Sequence, residues 1–338
     1  MTVAATHRGW TMPRIKGLTW ITWRQHRFAL LGVVVLLGGF SLLMIVHGTA
    51  MHRDYHRLGL DSCGSLSGAA CQAPLDIFLH RYQSIADFLP VLLAFVPALI
   101  GTFVGAPLVA RELETGTFRF AWTQATDRTR WIVVKLTLLG AALAGLALAF
   151  SALYGWWFHP MEPMLGRIQS GKSYEVEGVV FAARAVFAFA LGALFGAIVR
   201  RTLVAMAATL AAWIGVIFST AIYQRPHIMA PVIAQDGQGK GVRNGWTIHT
   251  WMQDAAGHHL TSAQSDALAR QAGAAAINAA DPRAAFDQWF AQHGYTRWSS
   301  YQPNGRFWHF QLVEGSAYLV VALLLGAATV WWVRRRAA

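Results

Sequence analysis

Val179-Val-Phe-Ala-Ala-Arg-Ala-Val-Phe-Ala-Phe-Ala-Leu-Gly-Ala-Leu-Phe-Gly-Ala-Ile-Val199 is followed at once by Arg200-Arg201, and then by a second apolar run from Thr202 to Tyr223. Arg184 is the one charge in either run. Each run has about the 20 residues that a helix needs to cross the hydrocarbon of a bilayer. Two such runs hinged on a pair of bases read as a helical hairpin through a membrane. Backbone amides in lipid must be satisfied within the segment, so each run is expected to be a helix.

Four more runs of the same kind lie outside this hairpin: Phe28–Val46, Phe88–Ala110, Ile132–Trp157 and Gly315–Val333. Lys135 is the only further charge within the six. Of the 338 residues, 55% are hydrophobic and 13% charged, about half the charge of a typical soluble domain. Six runs of this length leave too little polar surface for a soluble protein. The expected fold is an all-α polytopic membrane protein with six transmembrane helices. The first run is longer than the apolar core of a signal peptide and follows 27 residues, so it is read as a retained helix.

The formal net charge of +12 would suit a nucleic-acid binder if the bases were dense. They are not, and no nucleic-acid partner is expected. Counted by connection, one side of the six runs carries fifteen bases and three acids, and the other twelve bases and thirteen acids, with Arg184 left over. Bases stay cytoplasmic, so both termini are placed inside. The expected organisation is a cytoplasmic tail and interfacial helix over 1–27, spans one to five over 28–223 with an inner loop at 110–131, a small helical extracytoplasmic subdomain over 224–314, and the sixth span with a basic tail over 315–338. Residues 10–27 mix Trp10, Trp20 and Trp23 with bases, which suits a helix lying at headgroup depth.

Within the subdomain, Thr261–Ala276 reads as an Ala-rich helix, and Asp281-Pro282 as the cap and first turn of another ending near Gly294. The aromatic stretch Trp298–Phe310 is expected at the outer interface. Cys63 and Cys71, the only cysteines, fall in the first outer loop, where an oxidising compartment favours a disulfide. Pro90, Pro97 and Pro107 in span two are candidates for kinks or a pathway lining. Arg184 is expected either to snorkel outward or to line a polar path. Gly166-Arg-Ile-Gln-Ser-Gly171-Lys172-Ser173 fits the phosphate-loop spacing. That motif works only between a strand and a helix, and here it lies in a short outer loop, so it is read as a polar turn. Most His residues fall on the outer side without convergent partners, and no metal site is expected. No catalytic arrangement stands out, and the chain is not expected to be an enzyme.

The inner segment beginning Ala110-Arg-Glu-Leu-Glu-Thr-Gly-Thr117 and running through Arg119, Arg128 and Arg130 to Lys135 resembles the inner loop of the permease subunits of bacterial type-2 ABC exporters. Those loops have an acidic Arg-Glu-x-Glu-x-Gly-Thr stretch, then bases leading to a Lys in the third span. Members often have Pro before the basic stretch, where this chain has Ala125-Thr126-Asp127. Leu18-Thr-Trp-Ile-Thr-Trp-Arg-Gln-His-Arg27 and Tyr301-Gln-Pro-Asn-Gly-Arg-Phe-Trp-His-Phe-Gln311 are similar to an actinobacterial-type branch. The resemblance implies a coupling helix of Arg111, Glu112, Glu114, Gly116, Thr117 and Arg119 that docks on a separate ATPase subunit. ATP would sit on that partner, and this chain would bind no cofactor. The resemblance also implies a second permease copy (homodimer or paralogue), membrane lipid around the spans, and an outer gate near Tyr301, Arg306, Phe307 and Trp308. The expected activity is export of an amphipathic, lipid-like or antibiotic-like substrate across the cell membrane. The alternative is a non-transporting membrane receptor whose outer subdomain binds a ligand.

Overall fold

The computed structural model describes residues 15–63, 69–116, 127–169, 171–235, 244–279 and 282–336. Six helical segments are long and apolar enough to cross a membrane: His26–Arg57, Ala70–Thr115, Arg128–Leu165, Val179–Val199, Thr202–His227 and Asn304–Arg335. Helix α1 runs from Ile15 to Arg57. Residues 15–27 run without a break into the helix of the first span, whose apolar window begins at His26. No proline interrupts that stretch, so nothing in the sequence stops the helix before the span. Residues 1–14 lie outside the described residues.

The second span is broken into α2 (Ala69–Leu93), α3 (Val96–Ile100), a π-helical turn (Gly101–Gly105) and α4 (Ala106–Thr115). Each break follows from a proline. Pro97 lies in the first turn of α3 and Pro107 in the first turn of α4. A proline has no N–H for the preceding turn, but a helix start does not need one. Pro90 lies inside α2, three residues before its end. Pro90 and Pro97 are both buried against the bundle.

The third span is α5 (Arg128–Phe158), followed by the one-turn α6 (Glu162–Leu165). Helices α7 (Val179–Val199) and α8 (Thr202–Ser219) form the hairpin read from the sequence. Arg200 closes it in the left-handed region, at φ 60°. Helix α7 is the hub: 78% of its membrane window is buried within the chain, against 17% for the fifth span and 22% for the first and sixth.

Paired glycines explain how α7 gets so close to its neighbour. A Cβ built on Gly192 would fall 2.3 Å from the Gly101 carbonyl oxygen, and one on Gly196 would fall 2.4 Å from that of Ala106. In return, a Cβ on Gly101 would meet the Ala188 oxygen at 2.6 Å, and one on Gly105 the Phe189 oxygen at 2.5 Å. Gly101-Thr-Phe-Val-Gly105 and Gly192-Ala-Leu-Phe-Gly196 are thus two Gly-x-x-x-Gly faces packed backbone to backbone, a contact that membrane helices use in place of hydrophobic burial.

Beyond the fifth span, strands β1 (Val232–Gln235), β2 (Trp246–Gln253) and β3 (Thr296–Gln302) form an antiparallel sheet in the order β1-β3-β2. Helices α9 (Ser262–Ala276) and α10 (Pro282–Gln292) lie between β2 and β3 in the chain. The subdomain is therefore mixed α and β, which corrects the helical expectation. Trp246-Thr-Ile-His-Thr-Trp and Thr296-Arg-Trp-Ser-Ser-Tyr are rich in the aromatic and β-branched residues that suit strands. Read as a membrane belt, those aromatics hide the strand signal. Thr261 caps α9 through a reciprocal pair with Gln264, the capping-box arrangement. Asp281 lies outside the described residues, and Pro282 opens α10. The last helix, α11 (Phe307–Arg336), begins eight residues before the expected start of span six. Glu314, assigned to the outer side from the sequence, lies inside it.

Candidate functional site

Two clusters at opposite ends of the bundle carry the polar chemistry. The first lies at the basic end, where α4 finishes. The Glu112 carboxylate accepts from the Lys135 ammonium of α5. Lys135 is 1% exposed, and its Nζ also sits 4.3 Å over the Trp131 ring. Both interactions account for a lysine inside a span. Two residues further, Glu114 Oε2 accepts from the backbone N of Thr202 at 3.0 Å and from its Oγ1 at 2.6 Å. That carboxylate covers the unsatisfied amide end of α8, which favours a negative charge. Gly116, at φ 72°, ends α4 with the left-handed residue such helix ends prefer.

The two acids singled out for docking on a partner therefore both bond within the chain. They join α4 to α5 and to α8. Arg111, Glu114 and Thr115 remain exposed at this end, and Glu112 is half-buried. Thr117 and Arg119 lie outside the described residues.

The second cluster lies at the far end and joins three spans to the segment that precedes α7. Arg184 of α7 bonds Glu175, and its Nη2 is 2.6 Å from Glu314 Oε1 of α11. Arg225, at the end of the fifth span, reaches Glu175 Oε1 at 2.6 Å and Glu314 Oε2 at 2.9 Å. All four are buried, with Arg225 and Arg184 at 0% and 1% exposure and Glu314 and Glu175 at 4% and 6%. Their charges cancel. Tyr174 donates to Glu314 at 3.1 Å, and Arg225 stacks 4.4 Å above the Tyr174 ring.

Burial alone would push the Glu175 carboxyl up, but Arg184 and Arg225 outweigh it and hold Glu175 well below the ordinary carboxylate range. Burial, aided by Glu314, pushes the Tyr174 hydroxyl far up, so it remains a donor. Removing one member of such a buried set strands a charge, which costs about 3–5 kcal/mol. The cluster is a clasp that holds the far ends of α7, the fifth span and α11 in one arrangement.

The Arg184 guanidinium is closed into the clasp. The sequence reading missed Glu175, Arg225 and Glu314. They sit just outside the apolar windows and read as ordinary loop charges. The usable signal was Arg184 itself, since a base inside a span calls for acids within reach.

Gln311 reinforces the same junction. Its Oε1 accepts from the Val180 amide at 2.8 Å, and its Nε2 donates to the Tyr174 carbonyl at 3.2 Å. Gly178, at φ 82°, lies against that side chain, and a Cβ there would fall 2.6 Å from Oε1.

The other singled-out residues occupy structural places. Cys63 and Cys71 are joined in a disulfide, with Cα atoms 6.2 Å apart. Gly166 and Gly171 of the phosphate-loop look-alike are both left-handed. Lys172 pairs with Asp87 at 2.9 Å, and Ser173 Oγ donates to the Gly166 carbonyl. The segment is a turn tied to α2, with no strand leading into it. Tyr301 lies buried in β3. Arg306 Nη1 donates to the Ala230 carbonyl and to Gln302, both at 2.7 Å. Phe307 is 2% exposed and Trp308 53%, so only Trp308 offers its ring at an interface. Pro90 and Pro97 are buried in the second span. Among the described residues, no three His, Cys, Asp or Glu stand together as a metal site.

Neither the curated proteins nor the solved structures contain a match to this chain. Residues 31–225 match the family model described as ABC-2 membrane transporter related. That match takes in more than half of the chain, from α1 through Arg225 of the far clasp, and so includes the α4 junction and the glycine-packed hub. With six membrane-spanning helices around that hub, the chain belongs to the ABC-2 membrane transporter related family and is a permease-type membrane component of a transporter.

Proposed function

We propose that the chain is the permease subunit of an ATP-driven exporter of the cell membrane, moving an amphipathic, lipid-like or antibiotic-like substrate outward with a separate ATPase subunit. ATP is bound and hydrolysed on that subunit. Two permease copies, identical or paralogous, complete the transporter, and lipid surrounds their spans. The basic end faces the cytoplasm, which puts α4 where an ATPase reaches it.

The observation that carries this reading is the wiring of the last turn of α4. Its two carboxylates are bonded to α5 and α8, and the π-helical turn that leads into α4 packs its glycine face on α7. A push on this turn is therefore passed to three spans at once, and α7 carries it to the far clasp. Opening of the far end would require the clasp to exchange partners, a bistable arrangement of the kind that switching transitions use. Exposed Arg111 and Glu114 provide the docking surface, while Glu112 acts as a lever inside the chain.

Co-expression with the ATPase, pull-down and proteoliposome ATPase assays test this. The wild-type complex is expected to copurify with its ATPase. Glu112→Ala with Glu114→Ala is expected to keep that copurification, because Arg111 remains, but to lower transport-linked ATP turnover by about tenfold. That corresponds to losing interactions worth about 1.4 kcal/mol in the power stroke. Unchanged turnover in the double variant would sink the coupling role, and failure to recover any ATPase would sink the exporter reading.

A further inference from the structure

Next to the far clasp lies a cavity of about 470 Å³ between α5, the 159–178 segment and the starts of α7 and α11. Its polar lining includes Glu162, Arg167, Glu177, His159 and Ser151, and two tryptophans, Trp156 and Trp308, also bound it. The tryptophans are 39% and 53% exposed, so the cavity opens at the outside of the bundle between two indole rings. Leu148 and Val179 give it an apolar wall.

Glu177 sets the character of this cavity. It is 6% exposed. Its Oε1 is 2.6 Å from Arg167 Nη2, but its Oε2 is buried with no hydrogen-bond partner. A buried carboxylate oxygen without a donor is costly and calls for one. Arg167 does not supply it: the guanidinium is shared with Glu162 at 3.7 Å and stacks 4.1 Å from the Phe307 ring. Two carboxylates face one guanidinium, so one carboxylate charge is left without a guanidinium of its own; His159 Nδ1 lies 3.7 Å from Glu162 Oε2. Consistent with that deficit, burial pushes the Glu177 carboxyl above its ordinary range, although Arg167 pulls it down. Gly155, whose Cβ would fall 3.4 Å from Glu177 Oε1, leaves room on α5 for the carboxylate to sit there.

We propose that this cavity binds the primary ammonium head of an amphiphile, with the ammonium donating to Glu177 Oε2 between Trp156 and Trp308 and the apolar chain leaving along Leu148 and Val179. An ammonium supplies both the missing donor and the missing charge. The indole faces favour a cation, and tryptophan suits the boundary where a polar head meets an apolar chain. Arg167 Nε, also buried without a partner, offers a donor to an oxygen beside the amine. The same head is found on single-chain amines and on aminophospholipids. This site deepens the export reading by naming a substrate class, but its occupancy does not depend on an ATPase.

The test is equilibrium binding of labelled dodecylamine to the purified full chain in a non-ionic maltoside detergent. Saturable binding is expected. Dodecyltrimethylammonium, which has the charge but no N–H, is expected to compete at least tenfold less well than dodecylammonium, and dodecyl sulfate not at all. Glu177→Gln is expected to weaken binding about tenfold or more, as for loss of a charge-assisted hydrogen bond. Trp308→Leu removes a half-exposed ring that lies 5.5 Å from the Arg167 guanidinium and leaves the buried Glu177–Arg167 pair in place, and is expected to weaken binding severalfold. Competition by phosphatidylethanolamine but not phosphatidylcholine would support the site and identify a membrane lipid as the source; competition by neither would support it with a soluble amine. Equal binding in both variants, or equal competition by dodecyl sulfate or phosphatidylcholine, would overturn the proposal. Saturable amine binding by a chain that recovers no ATPase would uphold the site and reject the exporter reading.

Discussion

Glu175 and Glu177 stand two residues apart with opposite electrostatics. Two guanidiniums hold Glu175 below the ordinary carboxylate range, so its contribution to stability is fully present above the unfolded value and is lost progressively as the pH falls from there through the lower folded value. Glu177 is displaced upward, so its linkage has the other sign: stability is fully present below the unfolded value and is lost as the pH rises through the folded one. Between about pH 4 and 7, the thermal midpoint of Glu177→Gln is therefore expected to rise relative to wild type, and that of Glu175→Gln to fall. Thermal unfolding of the purified chain across that window checks both signs, and parallel pH profiles for the two variants would refute the assignment. None of this was legible from residue types alone. Arg184 could be recognised in the sequence as an anomaly inside a span, but its acids lie 9 and 130 positions away. Only the fold brings them together.

At the scale of elements, sequence reading works where a single physical rule dominates and fails where two compete. Apolar length alone predicts α7 to the residue and the start of α8, which ends at Ser219 and gives way to a π-helical turn over the last residues of the expected run. The start of α11 was misplaced because the aromatic and amide residues before Gly315 are as compatible with an interface as with a helix. The strands of the subdomain were lost for a similar reason, since Trp, Tyr and Thr serve belts and sheets alike. The Gly-x-x-x-Gly faces of the second span and α7 were visible in the sequence, but nothing there showed that they met. Their meeting is testable by a pair of substitutions. Gly192→Ala puts a methyl 2.3 Å from the Gly101 carbonyl oxygen, which belongs to backbone, whereas a Cβ at Gly215 meets nothing within 4 Å. Overpacking of this kind costs about 1–3 kcal/mol. Gly192→Ala is therefore expected to lower the thermal midpoint of the purified chain, while Gly215→Ala leaves it unchanged or raises it, because alanine favours helix. Equal behaviour of the two variants would show that α7 and the second span do not pack by their glycines.

For the whole molecule, the asymmetry of charge supplies a direction that six apolar helices alone do not have. Fifteen bases and three acids lie on one side of the spans and twelve bases and thirteen acids on the other. The bundle keeps the Glu112–Lys135 pair, the Arg200-Arg201 turn and the end of α11 together at the first side. The disulfide, the sheet and the four-charge clasp lie at the second. If the basic side is cytoplasmic, in keeping with the bias of bases toward that side, the disulfide lies in an oxidising compartment, the α4 turn faces ATP, and the proposed ammonium cavity opens at the outward end. Reversing the chain would break all three relations together, so orientation is the most economical single measurement of the export reading. Cys63 and Cys71 are bonded to each other and the chain has no free thiol, so an introduced cysteine can be read without background. His258→Cys, on the exposed turn after β2, is expected to react with a membrane-impermeant maleimide on intact cells. Arg335→Cys, in the last turn of α11, is expected to react only after lysis. The reverse pattern would place the α4 junction outside, away from any source of ATP, and would reject the exporter reading as a whole.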